Sequence, residues 1–126
     1  MWIGRAIFGL VLLVCTGCVT PSIPIPPPEP SLMTFDITVD GASSTATFAY
    51  PAKADYGGAI VYVFNRDQGL GIIEQARPDG SVGPTRPVSA RENEQIVISF
   101  QLDDQSVSRC IRLRQGPQDP NNHCGP

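Results

Sequence analysis

The chain has 126 residues, nine basic and twelve acidic side chains and a formal net charge of −3. That length accommodates one domain with a single core and excludes two full domains. The weak negative charge, with no basic block, excludes an electrostatic nucleic-acid binder, so no nucleic-acid partner is expected. In chain order, Arg5 comes first, followed by an apolar run from Ala6 to Val14 and then Cys15-Thr16-Gly17-Cys18. A bilayer-spanning helix needs roughly 20 apolar residues. An export signal needs an apolar core of about 7–15, a positive residue before it and small residues at the cut. The run fits the second description. Ordinary cleaved secretion and a short uncleaved anchor are the alternatives to lipid modification. Trp2 and Cys15 fall in the segment that cleavage discards, so neither is read as a ligand group.

Thr16, Gly17 and Cys18 resemble the lipobox of bacterial lipoproteins. Cys15 stands where that pattern has an aliphatic residue. The resemblance implies removal of residues 1–17, diacylglycerol on the Cys18 sulfur and an N-acyl group such as palmitate. Membrane lipid is then a partner through acylated Cys18. Two or three chains, at about 0.8 kcal/mol per buried CH₂, hold a protein where one is marginal. The resemblance also implies the outer membrane of a two-membrane cell envelope, because Val19 rather than Asp follows the cysteine.

Val19 to Pro30 holds six prolines in twelve residues. Proline fixes φ and lacks a donor, so helix and central strand are excluded. Polyproline II at about 3.1 Å per residue predicts a stiff spacer of roughly 37 Å. The expected organisation is signal peptide 1–17, lipidated Cys18 and linker 18–31, and an exported domain 32–126.

Period-2 alternation dominates that domain. It runs through Phe35, Ile37 and Val39; through Ala46, Phe48 and Tyr50; through Ile96, Ile98, Phe100 and Leu102; and through Ile111 and Leu113. Ala59 to Phe64 is apolar on both faces and rich in β-branched and aromatic residues, which predicts a central strand buried more fully than its neighbours. Ile72 and Ile73 seed a further short strand. Turn signals separate these runs at Asp40-Gly41, Gly57-Gly58, Asp67-Gln68-Gly69, Asp79-Gly80 and Asp103-Asp104-Gln105. About seven short strands without helical periodicity predict an all-β fold, a small antiparallel β-sandwich. A small barrel is the alternative.

The succession Ala59–Asn65, Ala76-Arg77-Pro78-Asp79-Gly80-Ser81, Arg91-Glu92-Asn93-Glu94 leading into Ile96–Phe100, and Ser108–Leu113 resembles immunoglobulin-like domains of bacterial surface proteins and lipoproteins. The resemblance covers about 60 residues and implies a spacer, adhesion or assembly module. The core tryptophan and distant cysteine pair of antibody domains are missing.

With Cys15 and Cys18 assigned to the signal, Cys110 and Cys124 remain, in an oxidising compartment. One intramolecular pairing is open to them, a Cys110–Cys124 disulfide closing a loop of about 15 residues. Candidate chemistry beyond this is sparse. The aspartates fall in turns, where their side chains bond nearby backbone. Their clustering to bind Ca²⁺ is the alternative, although no segment matches the calcium-loop pattern. His123 is the one histidine and lies in a Pro/Asn-rich tail, which leaves a Ser-His-acid triad without support. Arg109, Arg112 and Arg114 form either a small positive patch or a solvated sheet face. The expectation is a protein that is not an enzyme, with no catalytic residue, no metal ligand and no cofactor. It is expected to act as an interaction or structural module toward an envelope protein or glycan partner. A glycan-, peptidoglycan- or Ca²⁺-binding module is the alternative.

Overall fold

Alternation becomes pairing at the first hairpin. In a computed structural model, which describes residues 23–124, β1 (Thr34–Asp40) pairs antiparallel with β2 (Ser43–Ala49) in continuous register from Thr34↔Ala49 to Asp40↔Ser43. That register places Phe35, Ala46 and Phe48 on one buried face. Gly41, at φ +60°, makes the tight turn, a conformation open to a residue without Cβ.

A 3₁₀ turn at Ala54–Tyr56 carries the chain to the other sheet. There β3 (Ile60–Asn65) pairs with β4 (Leu70–Gln75) on one side and β6 (Gln95–Leu102) on the other. The two-residue strand β5 (Val88–Ser89) adds to β2, β7 (Gln105–Arg112) to β6, and β8 (Gly116–Pro117) to β1. The result is two four-stranded antiparallel sheets, β5-β2-β1-β8 and β4-β3-β6-β7. The first, second, fifth and eighth strands thus face the third, fourth, sixth and seventh in a small β-sandwich.

Between the sheets lie Phe35, Phe48, Val61, Val63, Ile96, Ile98, Phe100, Ile111 and Leu113, all essentially inaccessible. One end of this core is aromatic. Tyr56 stacks on Phe100 at 4.3 Å between ring centroids, and Tyr50 meets both edge-on at 5.8 and 5.4 Å. Such pairs contribute about 0.5–1.5 kcal/mol beyond their buried area.

The turn signals sit where expected. At Asp79-Gly80 the Asp79 carboxylate accepts from the Ser81 hydroxyl and backbone N–H, and these bonds hold its pKa below the usual carboxylate value. Gly80 is required because a Cβ there would lie 1.7 Å from the Lys53 carbonyl oxygen, at φ +86°.

Two features differ from the sequence reading. β3 is the interior strand expected, but it is no more buried than β6: Val61, Val63 and Asn65 are fully buried, as are Ile96, Ile98 and Phe100, while Phe64 is 42% exposed. On the outer side of that sheet Ile73 of β4 is also open, at 57% exposed. The last hairpin also starts earlier than Cys110, because β7 begins at Gln105 directly after a two-residue turn in which Asp103 takes φ +55°.

Candidate functional site

Cys18, the segment 1–17 and Val19–Ser22 lie outside the described residues. From Ile23 onward, the proline-rich stretch lies against the sandwich. The Gln105 side chain, at the start of β7, grips it twice, donating from Nε2 to the Ile23 carbonyl (2.9 Å) and accepting at Oε1 from the Ile25 N–H (2.8 Å). The Tyr56 hydroxyl donates to the Pro26 carbonyl, and the Glu29 N–H donates to the Tyr50 hydroxyl (3.1 Å). Ile25 packs on the core and Pro28 is buried. Burial pushes the Tyr56 pKa well above the ordinary tyrosine value, with the neighbouring Tyr50, Asp55 and Glu29 adding to the shift.

Cys110 and Cys124 form a disulfide with Cα atoms 5.4 Å apart, inside the range such bonds span. It fixes the tail along the outer edge of β7. The Arg112 N–H donates to the Asn122 carbonyl (3.1 Å), the Cys124 N–H to the Cys110 carbonyl (3.2 Å), and Ile111 bridges His123. Between tail and proline segment a cleft of about 390 Å³ opens over Ser108, Arg109 and His123. The three C-terminal arginines do not assemble. Arg109 pairs opposite Ile98 on the core-side parity of β7, Arg112 lies on the other face, and Arg114 lies beyond the strand, with its Nε donating to the Pro117 carbonyl.

The opposite end of the sandwich carries a polar network that the sequence did not disclose. Asn65, fully buried at the end of β3, accepts at Oδ1 from the Asp67 and Gln68 N–H groups (2.9 and 3.2 Å). Its Nδ2 donates to the Ser89 carbonyl (3.0 Å) and to Glu94 Oε1 (3.1 Å). Glu94 Oε1 also accepts from Gln68 Nε2 (2.8 Å) and from the Arg91 N–H. This network floors an open cleft of about 520 Å³ that reaches Ser43 and Arg91. The only available hint was Asn ahead of Asp-Gln-Gly, a residue type that bonds backbone two positions on; its burial was not legible. Asn65→Ala would strand two N–H groups and a carbonyl. We expect a loss of about 1–3 kcal/mol, and faster amide exchange at Asp67 and Gln68 than elsewhere in the sheet checks it.

The third feature is the uncovered face of β4-β3-β6-β7. Register aligns Ile60, Tyr62 and Phe64 of β3 with Gln75, Ile73 and Gly71 of β4 and with Gln101, Ser99 and Val97 of β6. Ser106 and Ser108 of β7 continue the row. No carboxylate, lysine or histidine stands in it; at its far end Cys110 lies opposite Val97 and accepts from Arg66 Nη1 (3.7 Å). The Tyr62 hydroxyl donates to Gln101 Oε1 (3.0 Å), which fixes the ring, and Phe64 leans over Gly71. The free edge of β4 is capped by Arg86, which donates to the Ile73 carbonyl (3.1 Å) and pairs with Glu74 (3.3 Å), a charged guard against edge-to-edge association.

Among the described residues no three His, Cys, Asp or Glu side chains gather as metal ligands. The turn aspartates divide between the two ends of the sandwich. No family model matches the chain, and no curated protein or solved structure matches it significantly.

Proposed function

We propose that the chain is a cell-envelope lipoprotein, held by acyl chains on Cys18 at the outer membrane, whose β-sandwich is a non-catalytic interaction or structural module. The observation that carries this reading is Arg5 and a short apolar run ending in Thr16-Gly17-Cys18. The Cys110–Cys124 bond supports it, since disulfides persist in compartments reached by export. The small two-sheet β-sandwich supports the module. Cys18→Ser tests the attachment: the wild-type protein partitions into the detergent phase and floats with membranes, and the variant is expected in the aqueous fraction. A variant that still partitions with detergent contradicts lipid attachment.

A second reading, a module for a neutral glycan of the envelope, is favoured by the uncovered sheet face. Tyr62 and Phe64 offer ring surfaces for sugar C–H groups, and the flanking Ser99, Ser108 and Gln101 offer uncharged hydrogen-bonding groups to hydroxyls. Phe64→Ala, at a 42% exposed position, is expected to leave Tm within a few degrees and to weaken retardation in gels containing a neutral polysaccharide about two- to tenfold, the loss of one stacked ring. Unchanged mobility of both wild type and variant removes this reading.

A further inference from the structure

We propose that residues 23–30 are a strap that holds one end of the sandwich, the end of the β6–β7 turn, against a lipid bilayer rather than a spacer that lifts the domain away. The proposal rests on lipid attachment at Cys18.

The segment is stitched down along its length. Between Ile23 and Pro30 the prolines leave three backbone donors, those of Ile23, Ile25 and Glu29. Two of the three are engaged, Ile25 by Gln105 and Glu29 by Tyr50. Two carbonyls, of Ile23 and Pro26, accept from Gln105 and Tyr56. Docking costs little chain entropy, because proline fixes φ before any contact forms. A free segment of this composition would gain nothing from Ile25 on the core or from the burial of Pro28.

Length then decides the height of the domain. Five residue steps separate Cys18 from Ile23, at most about 18 Å when fully extended. A free run to Pro30 would allow roughly 37 Å. The point of departure decides the orientation. Ile23 is 86% exposed and is held by Gln105, next to the exposed turn residues Asp103 and Asp104. The eight-residue strand β6 sets the distance to the other end at about 26 Å. That far end holds the Asp40-Gly41 turn, where Arg91 reaches the Ala42 carbonyl, and the Asn65–Glu94 network. It faces away from the bilayer and is the end open to a second envelope component. Two carboxylates at the near turn give anionic headgroups no attraction, so the partner surface is a zwitterionic one, reached through the tether.

The test uses the full acylated protein in vesicles of phosphatidylcholine and phosphatidylethanolamine carrying an acceptor lipid. A donor dye is attached at Asp104→Cys in one preparation and at Asp40→Cys in another, and energy transfer to the bilayer is compared. Transfer several-fold stronger from position 104 is expected, and the contrast should collapse when Gln105→Ala and Tyr56→Phe are combined to release the strap. Equal transfer from both positions in protein that floats with the vesicles overturns the strap alone. Protein that does not float with the vesicles overturns lipid attachment and the proposal with it.

Discussion

Replacing Cys110 and Cys124 together with serine lowers the stability of the domain by about 3 kcal/mol and frees the tail beyond Gln118. The figure follows from the loop: the sequence separation is 14, and cross-linking a loop of about 15 residues removes about 3 kcal/mol worth of unfolded-state entropy. Against a total of about 5–15 kcal/mol for a domain of this class, the loss is large. It corresponds to a fall in Tm of roughly 12–24 °C, at about 4–8 °C per kcal/mol for a domain near 100 residues. The boundary at Gln118 is set by side-chain bonding. Gln118 is 1% exposed; its Nε2 donates to the Arg114 and Gly116 carbonyls (2.7 and 2.8 Å), and its N–H donates to the Met33 carbonyl (3.1 Å). Those bonds keep residues 114–118 in place without the disulfide. Beyond them Asp119 to His123 is a Pro- and Asn-rich stretch with poor strand propensity, and sulfur chemistry keeps it at the β7 edge. Melting with and without reductant, together with amide exchange at Arg112 and Cys124, measures the effect. A Tm indifferent to reduction contradicts it.

Tyr56→Ala is the second large effect, a loss of about 3–5 kcal/mol, the range for removing a buried aromatic ring. Tyr56 fills the space against Phe100 and Tyr50, and its hydroxyl holds the Pro26 carbonyl. Tyr56→Phe keeps the ring and removes only the hydroxyl, so a loss of about 1 kcal/mol is expected, together with faster proteolysis ahead of Pro28. The pH dependence has a definite sign. Burial raises the folded-state pKa of Tyr56 above its unfolded value. The protonated form is therefore the one the fold favours; its contribution is fully present below pH about 10 and fades as pH rises above it. Wild-type Tm should fall more steeply above pH 10 than that of Tyr56→Phe. Parallel curves for the two proteins would show that Tyr56 does not carry this dependence.

Much of the fold was legible because its driving patterns are local. The alternation Phe35-Ile37 and Ala46-Phe48-Tyr50 turns its apolar members inward as a hairpin, with Val39 reaching past the core at 68% exposed, and Asp40-Gly41 supplied the turn. The cysteine pairing followed from their number once a leader was set aside, and the bond is present. What stayed hidden depended on contacts distant in sequence. Ala59 to Phe64 reads as apolar throughout, and no local signal says that one of its faces is left uncovered. Gln105 sits in a run that reads as a turn, yet its side chain completes the pairing of a segment 80 residues away. The proline run reads as a spacer because its composition excludes regular structure; composition does not tell free from docked, and Tyr50 and Tyr56, in the connection between β2 and β3, decide that. Asn65 reads as a turn residue, and its role under Ser89 and Glu94 depends on β5 and β6 arriving beside it.

The reading of the molecule as an envelope lipoprotein depends on the state of its N-terminus, and intact-mass spectrometry of protein purified from its native membrane addresses that directly. The account predicts a chain that begins at Cys18, carries the mass of two or three acyl chains and has no free thiol among Cys110 and Cys124. A chain that retains Met1 to Gly17, or one that begins at Cys18 with no added acyl mass, would contradict it.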